Sequence, residues 1–180
     1  MLPATKPSAP ARPAGRGSPA RWLAIGVLGA GLAASSALSQ WREEHAVLIN
    51  TTQSLPHWAF FIDKGRVPER GDFVVFNPPK TALITAHFGK RPAPFAKRAL
   101  GVPGDLVTRT GDAVQVNGKT VAMLKSATRR GETLVPGPTG RIPDRCYYLG
   151  TPHPDGFDSR YAEIGFVCAD RIVGAGDALL

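Results

Sequence analysis

The chain has 180 residues, room for one folded domain and a tail, with 43% hydrophobic side chains and a formal net charge of +8. Its 20 Gly and 17 Pro predict many turns and little helix. The charge invites nucleic-acid binding, but no basic run interleaved with aromatics follows the first segment, which argues against that class. Two Cys and four scattered His are too few for a metal centre, and no cofactor motif is present.

Residues 1–21 hold Lys6, Arg12, Arg16 and Arg21 and no acid, so they carry +4; the remaining 18 basic and 14 acidic residues supply the other +4. Rich in Pro, Ala and Gly, this tail is expected to be disordered. Residues 22–38 then lack any charge. As a helix they would span about 25 Å, a little less than the roughly 30 Å of a hydrocarbon core, with Trp22 and Trp41 as interfacial anchors. The basic flank on the N-terminal side places that end in the cytoplasm. A cleaved secretory signal competes with a retained anchor, because Ser35, Ser36 and Ala37 offer small residues at plausible −3 and −1 positions. Under either reading residues 39–180 are exported.

Residues 46–49 read as an apolar strand leading to Ser54, and residues 57–62 as a second, aromatic-rich one. Residues 73–76 and 82–84 read as strands around Pro78-Pro79. Residues 106–108, 113–116 and 120–124 follow the central segment, and Asn117-Gly118 between the last two is the strongest hairpin signal in the chain. Residues 125–141 read as a basic, Gly/Pro-rich loop. Strands at 146–149, 164–168 and 171–173 close the sheet. The fold expected is mainly β: a compact antiparallel barrel with one N-terminal transmembrane helix. Cys146 and Cys168, an even pair in an exported domain, are expected to form a disulfide.

The segment Lys97-Arg98-Ala99-Leu100-Gly101-Val102-Pro103-Gly104-Asp105 organises the domain. Strand alternation puts Lys97 and Arg98 on opposite faces, and Pro-Gly predicts a type II turn just after. A lysine facing the core has its pKa lowered by desolvation and becomes an amine able to accept a proton.

Upstream lies Asn50-Thr51-Thr52-Gln53-Ser54-Leu55-Pro56, and downstream Gly156-Phe157-Asp158-Ser159-Arg160-Tyr161. Taken with the lysine segment, and in this order, the three stretches resemble the serine–lysine peptidases of the signal peptidase family. The Asn-x-Thr-x-Ser-x-Pro form and the short chain look most like the TraF-type conjugative-transfer peptidases. The resemblance covers roughly residues 50–174.

It implies a nucleophilic Ser54 with Lys97 as its general base, a Ser-Lys variant of the triad logic. It implies an oxyanion site made by the Ser54 backbone N–H and the Thr52 hydroxyl. Asp158 is then a supporting residue, paired with Arg160. The family usually carries a Ser two residues before that Asp, touching the lysine amine; here the position is Gly156, so Thr151 or Ser159 must take over. His57 beside Pro56 suggests a Ser-His site only weakly and reads as a strand-edge residue.

The resemblance therefore implies a single-pass inner-membrane enzyme with its catalytic domain in the periplasm. Its partners would be a pilin precursor as substrate, inner-membrane lipid, and other proteins of a conjugative-transfer apparatus. Hydrolysis and cyclisation of the pilin share the same first half-reaction. A general signal peptidase is the near alternative. An inactive envelope scaffold is the alternative from a different class, kept open by Gly156.

Overall fold

The computed structural model describes residues 19–49 and 55–179. The chain divides into two units, Met1–Trp41 and Arg42–Leu180. The first is dominated by α1, Pro19–Glu44, a helix that runs past its boundary and has no buried residue. At 26 residues it is about 39 Å long. It starts with Pro at its first turn, where the missing N–H costs nothing, and Arg42 in its last turn suits the helix dipole. The helix outlasts the apolar stretch because Ser39 to Glu44 include neither Gly nor Pro. By length and composition it can cross a membrane.

The second unit is mainly β and antiparallel throughout its named strands. One sheet takes seven strands in the order β1-β2-β11-β3-β4-β9-β10, and a four-stranded sheet runs β7-β6-β5-β8. In the larger sheet these are β1 His45–Ile49, β2 Ala59–Asp63, β3 Phe73–Phe76, β4 Phe95–Gly101, β9 Cys146–Gly150, β10 Val167–Cys168 and β11 Ile172–Ala178. The smaller comprises β5 Leu106–Thr110, β6 Ala113–Val116, β7 Lys119–Met123 and β8 Gly140–Arg141. The unbroken apolar runs of β3 and β9 belong to central strands buried on both faces. Asn117 and Gly118 both take positive φ, 49° and 78°, as a two-residue type I′ turn between β6 and β7 requires.

Four sequence expectations need correction. Residues 82–84 are not a strand but the start of α2, Ala82–Phe88. The Thr81 side chain accepts from the Ile84 N–H at 3.2 Å, and Gly89 at φ 84° ends the helix. Three apolar residues were too short a run to separate a strand from a helix turn. The strand over 164–168 shrinks to Val167–Cys168, since Gly165 turns at φ 60°. Conversely, β11 extends well beyond 173, through Gly174 and Gly176. A Cβ at Gly176 would lie 1.8 Å from the Phe61 carbonyl oxygen, so glycine there permits close strand approach rather than breaking the strand. The 125–141 loop also contributes β8, which pairs with Leu106 and Val107.

Cys146 and Cys168 are opposite one another across β9 and β10 and are joined by a disulfide. The segment between them carries Asp158, Ser159 and Arg160.

Candidate active site

On β4 the alternation is as the sequence predicts: Lys97 and Ala99 are buried and Arg98 is exposed. Val74 of β3 is the partner of Lys97 on one side, and Gly150 of β9 is the partner of Arg98 on the other. Lys97 is only 6% exposed, among the apolar side chains of the central sheet. Burial lowers its pKa; the Asp158 carboxylate pulls it back up, and the Arg160 guanidinium pushes it down again. Arg98, facing the other way, donates from Nε to the Gly71 carbonyl at 2.9 Å and lies over the Phe73 ring.

The turn after β4 is a tied structure. Gly104 adopts φ 86° and the Asp105 N–H reaches the Val102 carbonyl at 3.1 Å, closing the turn. The Asp105 carboxylate accepts from the Val102 N–H at 2.7 Å, the Asn117 amide at 2.7 Å and the Arg70 guanidinium at 2.5 Å. Burial works against its charge, but these three donors outweigh it and hold the carboxyl below its ordinary range.

Behind Lys97 sits a buried ion pair. Asp158 is fully enclosed and Arg160 nearly so. Arg160 Nε meets Asp158 Oδ1 at 2.8 Å and Nη2 meets Oδ2 at 2.9 Å. Burial pushes the Asp158 carboxyl up, and the guanidinium opposes that shift. Arg160 also donates to the carbonyls of Thr151 at 2.7 Å and Met123 at 3.2 Å. Ser159 is buried too, with its hydroxyl accepting from the Leu149 N–H at 2.9 Å.

Gly156 has no room for a side chain. A Cβ there would lie 2.4 Å from Thr151 Cγ2, 2.8 Å from Arg160 Nη2 and 2.9 Å from Asp158 Oδ2. The absence of a hydroxyl at this position is therefore a property of the packing around it.

Thr52 and Ser54 lie outside the described residues. Leu55, next to Ser54, is buried in a cluster with Phe60, Ile62 and Val75, against which Ala96 packs. Leu55 and Ala96 thus belong to one apolar cluster. His57 packs edge-on against the Phe60 and Phe73 rings.

One feature had no signal in the sequence. A groove of about 530 Å³ is lined by Leu83 and Phe88 of α2, by Leu134, and by Gly156, Phe157 and Tyr161. It exists because α2 replaces a strand and because the 125–134 segment folds towards residues 153–157, with Lys125 and Arg129 both paired to Asp155.

The chain is similar to known proteins. The family model for signal peptidase, peptidase S26 matches residues 20–180. The chain is 37% identical over 110 residues to the probable signal peptidase I-2 of Synechocystis, covering 61% of this chain and 46% of that protein. It is 32% identical over 114 residues to signal peptidase I T of Bacillus subtilis, covering 59% and 53%. The match to signal peptidase I of Rickettsia typhi is 36% over 73 residues, 38% of this chain and 24% of that one. The chain thus spans about half or less of the length of these relatives. A crystal structure of a signal peptidase I from Enterococcus faecalis overlaps 62% of this chain and 98% of its own, at 23% identity and a TM-score of 0.39. With the family match running through nearly all of α1 and the whole β unit, the chain belongs to the signal peptidase, peptidase S26 family.

Proposed function

We propose that this protein is a membrane-anchored serine endopeptidase in which Ser54 is the nucleophile and Lys97 the general base. The observation that carries the reading is a lysine buried in the central sheet beside a buried Asp158–Arg160 pair. Burial keeps the amine available as a neutral base, and a serine hydroxyl needs such a base close by.

In the first step Lys97 takes the proton of the Ser54 hydroxyl as its oxygen attacks the scissile carbonyl. The Ser54 N–H and the Thr52 hydroxyl hold the oxyanion; one such donor contributes roughly 3 kcal/mol to the transition state. Lys97 then returns the proton to the leaving amine, and the C–N bond breaks to give an acyl-enzyme. Water, or an amine of the substrate itself, releases the acyl group and frees Ser54. Asp158 and Arg160 support the lysine from behind.

Residues 1–21 form the cytoplasmic tail, α1 carries the membrane span at residues 22–38, and residues 39–180 work on the far side of the inner membrane. The substrate is an exported precursor protein. The relatives are signal peptidases I, which supports removal of signal peptides. The Asn50-x-Thr52-x-Ser54-x-Pro56 form supports a narrower substrate, a pilin precursor of a conjugative-transfer apparatus, released by hydrolysis or as a ring.

Full-length protein in detergent, given a signal-peptide-bearing preprotein or a pilin precursor, separates these by mass spectrometry of the products. Ser54→Ala and Lys97→Ala should each abolish cleavage with the fold intact, and the double variant should be little worse than either. Cleavage by Ser54→Ala at the wild-type rate removes the proposal.

A further inference from the structure

The groove between α2 and the 125–134 segment takes no part in the reaction steps above. Its lining is largely apolar, with Leu83 and Phe88 from α2, Leu134, Phe157 and Tyr161. Phe88 meets the Phe95 ring at 4.8 Å and the Phe157 ring at 6.3 Å, and Phe157 stacks on Tyr161 at 5.9 Å. These contacts make one aromatic surface. At about 530 Å³ the groove is the size of sites that bury a drug-sized ligand.

The polar groups around that surface are mostly donors. Lys125 and Arg129 both pair with Asp155, the one acid lining the groove among the described residues, so the trio keeps one positive charge. His153, half-buried in the wall, accepts the Asp155 N–H on Nδ1 at 3.1 Å. Its neutral ring therefore carries the proton on Nε2 and offers a further donor. The nearby Glu132 carboxylate is occupied by the protein itself, by His87 Nε2 at 3.1 Å and by the Thr128 hydroxyl.

Charge converges on the same place. The β3–β4 connection, residues 77–94, holds Lys80, Lys90 and Arg91 and no acid. Residues 125–134 hold Lys125, Arg129 and Arg130 against Glu132, and residues 151–157 hold only Asp155. These three segments wall the groove and carry +3, +2 and −1, a total of +4. That is the whole excess of residues 22–180: outside the three segments, 12 basic and 12 acidic residues balance. A positive rim around an aromatic floor complements an acidic segment that bears an apolar side chain.

The groove also adjoins the buried ion pair. Gly156 is part of its wall, and a Cβ there would lie 2.9 Å from Asp158 Oδ2 and 2.8 Å from Arg160 Nη2. Those two side chains are the charged groups that act on Lys97.

We propose that this groove binds an acidic segment of the precursor protein. An apolar or aromatic side chain of that segment sits on the Phe88, Phe157 and Tyr161 surface, and its flanking carboxylates are held by Lys125, Arg129 and the His153 Nε2–H. The groove is a recognition site apart from the scissile bond, and it selects among exported precursors by their acidity. The identity of the occupant rests on the endopeptidase reading.

The probe is a short fluorescent peptide with a phenylalanine flanked by glutamates, titrated by anisotropy against full-length Ser54→Ala protein in detergent, so that no cleavage intervenes. It should bind, and more weakly as salt is raised. Peptides with lysine for glutamate, or serine for phenylalanine, should bind at least about tenfold more weakly. Arg129→Glu changes a side chain that is 81% exposed, so the fold should hold, and it should weaken the acidic peptide about tenfold. With Ser54 in place and a precursor bearing an acidic segment, Arg129→Glu should raise KM about tenfold with kcat unchanged, because only binding is lost. Equal affinity for the glutamate and lysine peptides, or unaltered binding by Arg129→Glu, overturns the proposal. So does a His153 ring resonance that shifts with short-chain phosphatidylglycerol and not with the peptide, which would make the groove a lipid site. A protein that binds the acidic peptide through Arg129 but cleaves no precursor would sink the endopeptidase reading and leave the groove's preference standing. Cleavage with a KM indifferent to Arg129→Glu would do the reverse.

Discussion

Arg160 grips Asp158 through both carboxylate oxygens, Nε to Oδ1 at 2.8 Å and Nη2 to Oδ2 at 2.9 Å, with both side chains shut off from solvent. Removing one partner leaves the other charge buried alone. Asp158→Ala or Arg160→Ala should therefore cost about 3–5 kcal/mol of stability, read by urea denaturation. Arg160→Lys should rescue little, because a lysine cannot supply the two-pronged contact and also reach the Thr151 and Met123 carbonyls.

Lys97 should weaken the fold below its unfolded pKa. Its folded pKa lies under the ordinary value of about 10.4, so the unfolded chain binds this proton more readily and stability rises with pH across that interval. Lys97→Met should be more stable than wild type near neutral pH, by about 1.4 kcal/mol for each unit of depression. The gap should close as pH approaches about 10.4. Denaturation curves at pH 7 and pH 10 check this.

The same depression governs activity. The rate should climb with pH through the lowered folded pKa of Lys97 and then level. Lys97→Arg should be as damaging as Lys97→Ala, a loss of about 10²–10⁴-fold, since a guanidinium stays charged and accepts no proton. A flat pH–rate profile, or an active Lys97→Arg, would assign the base elsewhere.

Gly156→Ala is expected to injure a site it does not chemically join. Its new Cβ would press on Thr151 Cγ2, Arg160 Nη2 and Asp158 Oδ2, all in a network with no slack. The expected cost is about 1–3 kcal/mol, with a marked fall in cleavage rate, measured by thermal melting and by product formation.

The Cys146–Cys168 bond closes a stretch with a sequence separation of 22 residues, worth about 3 kcal/mol on the chain-entropy estimate. Alkylation of the unreduced protein should label neither thiol. A Cys146→Ser/Cys168→Ser variant should melt earlier and lose order first between β9 and β10, as hydrogen exchange would show.

Much of this could be read in the chain itself. Lys97 and Arg98 must point oppositely in a strand, though it took the folded sheet to show that the lysine is the one facing the core. Pro103-Gly104 and Asn117-Gly118 carry their turns in their own backbone preferences, and both turns form. Local periodicity and local sterics were enough for these, because each depends only on residues adjacent in sequence.

What sequence left open depended on contacts between distant segments. The triplet Ala82-Leu83-Ile84 fits either period, and a cap from Thr81 together with burial of Ile84 decided for helix. Gly174 and Gly176 look like breakers until β2 is laid beside them. Gly156 looked like a lost hydroxyl, and only the packing of Thr151 and Arg160 around it showed a position that can hold no side chain. By itself the sequence determined the strand alternation, the turns and the order of the three motif segments. Tertiary structure alone decided which residue stands opposite Lys97, since strand register is a property of two chains of atoms meeting and not of either one.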